Sequence, residues 1–202
     1  MKNLPPFLLT FFALPALLGR AQQGSAQPAG SPANGGVVTT LAGAVGKVGK
    51  TNGAGGVARF NYPAAVAAAA NGTLYVADGN NVIRKITPAG VVTTLAGVLG
   101  AFGPTQGGAT NGPGAAARFT SPAGVAVDAA GNVYVADTEN HTIRKIAADG
   151  TTSTLAGTAG PPGTADGTGP AARFANPMGV AVDAAGTVYV ADHDNHTIRR
   201  IR

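Results

Sequence analysis

Residues 122–146 read PAGVAVDAAGNVYVADTENHTIRKI, residues 177–201 read PMGVAVDAAGTVYVADHDNHTIRRI, and the two stretches agree at 20 of 25 positions. A looser copy, PAAVAAAANGTLYVADGNNVIRKI, occupies residues 63–86. The shorter strings ARF and TLAG each occur three times in step with these copies, and they give a repeat length of 54 to 60 residues. Internal repeats of this length are typical of solenoids, propellers and arrays.

Each copy predicts four short strands. In the second copy they are GVAVD at 124–128, NVYVAD at 132–137, HTIRKI at 141–146 and TTSTLAG at 151–157. Small, β-branched and aromatic residues favour strands, and the short Asp-, Asn- and Gly-containing turns between them suit antiparallel connections. Four-stranded antiparallel sheets repeated at this period are the blades of a β-propeller, so the predicted fold class is all-β.

One Tyr and one Phe recur in every copy. We expect the tyrosines to lie buried between sheets and the phenylalanines to act as wedges between neighbouring blades. These residues are Tyr75, Tyr134 and Tyr189, and Phe60, Phe119 and Phe174.

The N-terminal segment differs from the repeats. Residues 1–21 combine Lys2, an apolar run and small residues near Ala21, which predicts a secretion signal too short to span a bilayer comfortably. Residues 22–35, QQGSAQPAGSPANG, are typical of a flexible linker. We therefore expect a secreted or periplasmic protein with no membrane span after signal removal, and a propeller segment over residues 36–202.

The blade boundaries predict an unclosed set of strands. Three blades are expected at about 60–97, 119–157 and 174–202, with 36–43 as a lone fourth strand that the last blade lacks. Propellers typically have four to eight blades, so three indicate half of a six-bladed ring. The chain is then either a half-ring, completed by a homodimer in which strand 36–43 pairs with 196–201 of a second copy, or part of a longer protein.

The string of residues 124–146 resembles the NHL repeat, including the Asn-His pairs at 140–141 and 195–196. The DGTGPAARF stretch from Asp166 to Phe174 resembles the segment that precedes each such repeat. The first copy departs from the pattern, with Ala69 in place of the turn Asp and Asn81 in place of the His. The resemblance, to exported bacterial NHL proteins in particular, implies a β-propeller of NHL type.

The same resemblance implies several functions, because a fold does not determine a function. Exported bacterial members resemble ligand- or partner-binding propellers, some animal members bind RNA, and one branch is a metal-dependent lyase. Our interpretation is a binding scaffold for an unknown ligand or an envelope or extracellular protein. A lyase- or lactonase-like enzyme and a purely structural repeat module, or a fragment of a longer NHL protein, remain alternatives.

Composition favours binding over chemistry. The chain has no Cys, one Glu and three His, so we expect no catalytic residues, no metal and no cofactor. The formal charge is +5, and removal of residues 1–21 leaves 12 cations against 9 acids. These cations recur in IRK, IRR and ARF and form no cluster, so we expect no nucleic-acid partner.

The candidate binding surface is the loop face, defined as the long loops 44–58, 98–117 and 158–172 with the turns between the second and third strands. An up-and-down meander places all of these at one end, and variable loops on a rigid scaffold usually carry binding. The candidate residues are Asp137, Asn140, His141, Asp166, Asp192, His193, Asp194, Asn195 and His196.

The repeated polar residues have a second interpretation. Asp and Asn at the strand ends are suitable calcium ligands, but they also hydrogen-bond the backbone of their own turns, and their presence in every copy favours that structural role. Arg84, Arg144 and Arg199 are likewise either an anion-binding ring or partners of the repeated Asp. The DHDNH sequence at 192–196 is unique to the third copy, and its two His also allow a labile zinc or copper site.

Overall fold

The computed structural model describes residues 36–100 and 107–202. The predicted signal at 1–21 and the linker at 22–35 lie outside the described residues. Residues Thr39–Arg202 form one compact unit that contains every described strand. Within the described residues no helix is both long enough and apolar enough to cross a membrane.

The unit consists of three antiparallel sheets, which we call blades 1, 2 and 3 in chain order. Blade 1 contains β1 (Gly53–Ala54), β2 (Ala65–Ala68), β3 (Leu74–Asp78), β4 (Val82–Ile86) and β5 (Val91–Gly97). Blade 2 contains β6 (Gly112–Pro113), β7 (Pro122–Val127), β8 (Val133–Asp137), β9 (Thr142–Ile146) and β10 (Thr151–Ala156). Blade 3 contains β11 (Pro177–Val182), β12 (Val188–Asp192) and β13 (Thr197–Ile201).

The strand order confirms the predicted meander. In blade 2 the sheet order is β6-β10-β9-β8-β7, blade 1 repeats it as β1-β5-β4-β3-β2, and blade 3 is β11-β12-β13. The two-residue strands β1 and β6 were missed, because their Gly- and Pro-rich sequences carry no strand signal. They are pieces of the long loops that pair with the outermost strand of the same blade.

The predicted lone strand at 36–43 is not formed in the structure. Val37 and Val38 are 89% and 95% exposed, whereas the Gly43 amide donates a hydrogen bond of 3.0 Å to the Gly55 carbonyl near the end of the first long loop. A strand is stabilised by the ladder of hydrogen bonds to a neighbour. This segment has no such ladder among the described residues, and its sequence therefore remains without regular structure.

The turn between the second and third strands ends in a left-handed residue in all three blades. In blades 2 and 3 it is a 3-10 turn, Thr138–Asn140 and His193–Asn195, and the next residue is left-handed, with φ of 56° at His141 and 57° at His196. In blade 1 the turn is one residue shorter, yet Asn81 has φ of 59°. Asn and His are among the residues that tolerate this conformation, which explains why either is found here.

The core lies between blades. We call the face that a blade turns toward the following blade its forward face and the opposite face its rear face. The forward face of blade 1, with Tyr75 and Ile83, packs on the rear face of blade 2, with Val133 and Val135. Blade 2 packs on blade 3 through the equivalent residues, including Tyr134 and Ile143 against Val188 and Val190.

The aromatic predictions hold where a neighbouring blade is present. Phe119 and Phe174 are buried wedges, and Tyr75 and Tyr134 are buried. Phe60 is only half-buried and Tyr189 is 39% exposed, because blade 1 has no preceding blade and blade 3 has no following blade among the described residues. The equivalent side chains thus differ in burial according to the position of their blade in the described series.

The innermost strands approach each other most closely at Gly124. A Cβ atom built on Gly124 would clash with the backbone carbonyl of Met178 on β11 of the next blade. Only glycine fits where two backbones meet in this way. The position therefore fixes the approach of blades 2 and 3.

The Phe wedge gives a testable prediction. Phe119→Ala should lower the free energy of unfolding by about 3–5 kcal/mol, because it leaves a cavity at a fully buried ring between blades 1 and 2. Phe60→Ala is the matched control, since the same repeat position in blade 1 is half-buried, and it should cost clearly less. Urea denaturation measures both, and equal losses would show that Phe119 is not a wedge.

Candidate functional site

Each blade contains an ion pair between two neighbouring strands. The Asp is the last residue of β3, β8 or β12, and the Arg is the middle residue of β4, β9 or β13. The distances between the guanidinium nitrogen and the carboxylate oxygen are 2.8 Å for Arg84–Asp78 and 2.8 Å for Arg144–Asp137. Both of these pairs are completely buried. In blade 3 the Arg199–Asp192 distance is 3.0 Å, and Asp192 is buried while Arg199 is slightly exposed.

The carboxylate of this pair also binds its own blade. Asp137 accepts hydrogen bonds from the Thr120 amide at 2.7 Å and from the Asn140 side-chain amide at 2.8 Å. Asp192 accepts the equivalent bonds from the Ala175 amide and from Asn195. Complete burial raises the pKa of Asp137 to about 6, because the loss of hydration outweighs the opposing effects of Arg144 and these hydrogen bonds.

The arginine of the pair holds the long loop. Arg144 donates from Nη2 to the Thr110 carbonyl at 3.0 Å and to Asn111 Oδ1 at 2.7 Å. The same two bonds recur in the other blades, from Arg84 to Thr51 and Asn52 and from Arg199 to Ala165 and Asp166. Each loop is therefore fixed to its blade by one buried or nearly buried cation.

The Asn of the turn also binds the long loop, and the wedge Phe packs against the arginine. Asn80, Asn140 and Asn195 donate to the loop carbonyls of Gly49, Gly108 and Gly163, at 2.9, 2.6 and 2.8 Å. The guanidinium carbon of each arginine lies 5.2 Å from the centre of the Phe ring of its own blade, within cation–π distance. We call this group of Asp, Arg, Asn and Phe the anchor cluster of a blade.

The anchor clusters show that the turns and the long loops lie at the same end of the blades, as the meander predicts. They also show a signal that the sequence analysis did not use. The residue whose side-chain oxygen accepts the hydrogen bond from the arginine Nη2 is followed by Gly in all three loops. These pairs are Asn52-Gly53, Asn111-Gly112 and Asp166-Gly167.

The arginines of the ARF strings are half-buried and donate hydrogen bonds to backbone carbonyls of the long loops. Arg59 and Arg118 donate from Nη1 to carbonyls of the preceding 3-10 turn, Gly55–Val57 and Gly114–Ala116. Their role is to cap these short turns. The anion-binding ring was left open for Arg84, Arg144 and Arg199, and their ion pairs with the repeated Asp favour the structural interpretation.

The left-handed turn residue joins one blade to the next. Asn81 Oδ1 accepts the Ser121 amide at 2.8 Å, and His141 Nδ1 accepts the Asn176 amide at 3.1 Å. Both donors are themselves left-handed, with φ of 50° and 48°. We call this bond the inter-blade latch. It explains how Asn81 takes the place of the repeat His without loss of the contact.

The DHDNH turn of blade 3 is partly exposed. His193 Nδ1 lies within hydrogen-bond distance of the Asp194 carboxylate, and the Asn176 side chain donates to the same carboxylate. Both bonds stabilise the charged form and lower the pKa of Asp194, and the bond with His193 has the larger effect. The His196 side chain is exposed. Over residues 36–100 and 107–202 no three His, Cys, Asp or Glu residues are grouped so that they could hold a metal ion.

The structure thus separates the predicted site residues into two groups. Asp137 and Asp192 are buried within their blades and are not on the surface, because their oxygens are occupied by the anchor clusters. Asn140 and Asn195 belong to the same clusters, and His141 belongs to a latch. The side chains that remain exposed on the loop face are Asp166, His193, Asp194 and His196.

The geometry of these blades agrees with a family match. The NHL repeat model matches residues 119–146 and 174–201. These residues include the wedge Phe of blades 2 and 3, strands β7 to β9 and strands β11 to β13. Residues 63–86, the looser copy, lie outside the match. Residues 119–146 and 174–201 are therefore NHL repeats, and the sheets have the arrangement of β-propeller blades.

Solved structures are similar to the described blades. A protein of unknown function from Bacteroides thetaiotaomicron has a TM-score of 0.57 and 31% identity, over 64% of this chain and 32% of its own. An auxiliary nutrient binding protein from the same species has a TM-score of 0.57 and 23% identity, over 68% of this chain and 36% of its own. The chain therefore spans about a third of these solved chains.

A curated protein is similar over a shorter stretch. Protein SUPPRESSOR OF QUENCHING 1, chloroplastic, from Arabidopsis thaliana is 38% identical over 97 residues, which is 46% of this chain and 9% of that protein. The similarity therefore concerns a small part of a much longer protein.

The anchor cluster predicts unequal effects of the same substitution in two blades. Asp137→Ala should destabilise the fold by about 3–5 kcal/mol, because it leaves the buried Arg144 without a carboxylate. Asp192→Ala is the matched variant and should cost less, since Arg199 keeps the carboxylate of Asp166 and is partly hydrated. Chemical denaturation at neutral pH checks both. A larger loss for Asp192→Ala would contradict this assignment.

Proposed function

We propose that this protein is an exported β-propeller module that binds a ligand or a protein partner through its loop face. The observation that carries the proposal is the anchor cluster, which is present in all three blades. It attaches the described ends of three loops of different sequence to equivalent points on a common scaffold. Loops held in this way lose little conformational entropy when they bind, and preorganisation of this kind increases affinity.

The chemistry of the loop tips suits recognition of a neutral surface. In the first loop Val45 is 94% exposed and Val48 is 65% exposed, with Lys47 between them. In the third loop residues 159–162 read AGPP and are exposed. Small, apolar and conformationally restricted residues favour shape-based contacts with a peptide or glycan over binding of a strongly charged ligand.

The similarity to an auxiliary nutrient binding protein does not supply the ligand. At 23% identity that likeness concerns the fold alone. The proposal therefore depends on the loop face of this chain and on its own residues.

Export is the second part of the proposal and depends on the sequence of residues 1–21, with its apolar run between Lys2 and Arg20. Expression of the full chain in a Gram-negative host should give a mature protein in the periplasm or the medium that begins near Gln22. N-terminal sequencing and the intact mass of that product check the cleavage. A cytoplasmic protein that retains Met1–Ala21 would contradict it.

The binding proposal predicts that loop tips matter and the opposite end does not. Replacement of residues 159–162 by Ser-Gly-Ser-Gly, which keeps Gly160 with its φ of 129°, should weaken binding by roughly 10-fold or more, if the tip supplies on the order of 1.4 kcal/mol of binding free energy. The replacement spares Gly163, Ala165 and Asp166, so the anchor cluster of blade 3 and the melting temperature should be retained. The probes are glycan and peptide arrays, followed by titration with the best array compound.

The control for the loop variant is Ala129→Ser with Ala130→Ser, in an exposed turn at the other end of blade 2. This control should bind like the wild type. Loss of binding in the control with retention in the loop variant would place the site at the opposite end. Absence of wild-type binding to both arrays would count against recognition of these ligand classes.

A further inference from the structure

The forward face of blade 3 exposes residues that are buried in the blade before it. Ile198 is 75% exposed, whereas its counterpart Ile143 is fully buried against blade 3. Tyr189 is 39% exposed, whereas Tyr134 is 5% exposed. Blade 3 thus presents the apolar half of a blade–blade interface with nothing packed on it among the described residues, and large exposed apolar surfaces mark interaction sites.

The rear face of blade 1 presents the other half of the same interface. Val66 is 62% exposed, whereas its counterpart Val125 is 7% exposed against blade 1. Phe60, the counterpart of the buried wedges, is half-buried. At both blade–blade contacts within the chain a forward face meets a rear face, so the exposed parts of these two end faces are complementary in kind.

The open edge of β13 lacks the fourth strand that blades 1 and 2 have. Among the described residues β13 pairs only with β12, and a groove of about 730 Å³ runs beside it, lined by Leu155, Phe174, Ile198 and Ile201. An unpaired edge of this kind is a template for strand addition.

A segment of the chain matches the missing strand. Residues 37–43 read VVTTLAG, the same seven residues as β5 (Val91–Gly97), which is the fourth strand of blade 1. Val38 is 95% exposed, whereas its counterpart Val92 is fully buried. Residues 37–43 therefore have the sequence of a strand but no neighbouring strand, and the outer edge of β13 has no strand paired with it among the described residues.

The inter-blade latch repeats this pattern. His196 has the left-handed conformation of Asn81 and His141, but over the described residues its ring accepts no backbone amide. Tyr62 is the counterpart of Ser121 and Asn176 and has φ of 44°, and within the described part of the chain its amide has no acceptor. One free acceptor and one free donor are thus left at opposite ends of the blade series.

We propose that a second copy of this chain packs head to tail on the first. In each of the two contacts, strand 37–43 of one copy adds to β13 of the other, the rear face of blade 1 covers the forward face of blade 3, and His196 accepts the Tyr62 amide. A head-to-tail contact made at both ends closes into a ring of two copies. The proposal does not depend on the ligand of the loop face.

The ladders of blades 1 and 2 give the register of the added strand. In blade 1 Lys85 pairs with Thr93 and Ile83 with Ala96, and in blade 2 the bulge lies at the same place. Transferred to the new ladder, this register places Arg200 opposite Thr39 and Ile198 opposite Ala42. A slip of one residue from this register would turn the apolar residues of the added strand to the opposite side.

Cysteine cross-linking tests the register in the full chain, which has no Cys of its own. Directly opposed antiparallel residues have Cα atoms roughly 4.5–5.5 Å apart, within the range that a disulfide accepts. The double variant Thr39→Cys with Arg200→Cys should run as a covalent dimer on a non-reducing gel. The double variant Lys85→Cys with Thr93→Cys occupies the equivalent positions inside blade 1 and should form only an intrachain disulfide.

Solution mass gives an independent readout. Sedimentation of the wild type should give twice the monomer mass, and Ile198→Asp should give a folded monomer, since this side chain is exposed in the single chain. Val57→Asp is the matched control, 60% exposed in the first loop, and should remain dimeric. A wild type that sediments as a monomer, or an intrachain disulfide between the two thiols introduced at Thr39 and Arg200, would overturn the proposal.

Discussion

The buried pair of Asp and Arg in each blade is the interaction on which the other features depend. A carboxylate and a guanidinium that leave water together are stable only when their remaining hydrogen-bonding groups find partners. Asp137 and Arg144 find them in the wedge strand, in the turn and in the long loop. The need to satisfy these two charges therefore attaches the end of each long loop to its blade at the same point, although the loops differ in sequence.

This requirement also separates structure from recognition within one repeat. The residues that are the same in every copy are mostly those that the charges, the wedge and the latch need. What is left free is the loop tip, where the three copies differ in sequence. A repeat protein can in this way change what it presents without changing what keeps it folded.

The architecture could be predicted from the sequence because it depends on local patterns. The alternation in GVAVD and NVYVAD and the Gly- and Asn-containing turns gave the strands of each blade within about two residues, and the repeat gave their order. The site was harder to predict. Asp137 and Asp192 look like surface ligands in a turn, and only the distant partners Thr120, Asn111 and Asp166 show that these carboxylates and their arginines are used internally. The segment 36–43 was predicted as a strand from the same local pattern as β5, but a strand also needs a neighbour, which sequence pattern does not provide.

The inter-blade latch has a consequence for how such a chain can change in length. Its donor is a backbone amide, and its acceptor is a turn residue that serves as either Asn or His. Each repeat therefore carries a donor for the repeat before it and an acceptor for the repeat after it, with little dependence on the identity of the neighbour. A duplication or deletion of one whole repeat in the gene would join compatible ends at once, so the number of blades can vary by recombination without the invention of a new interface.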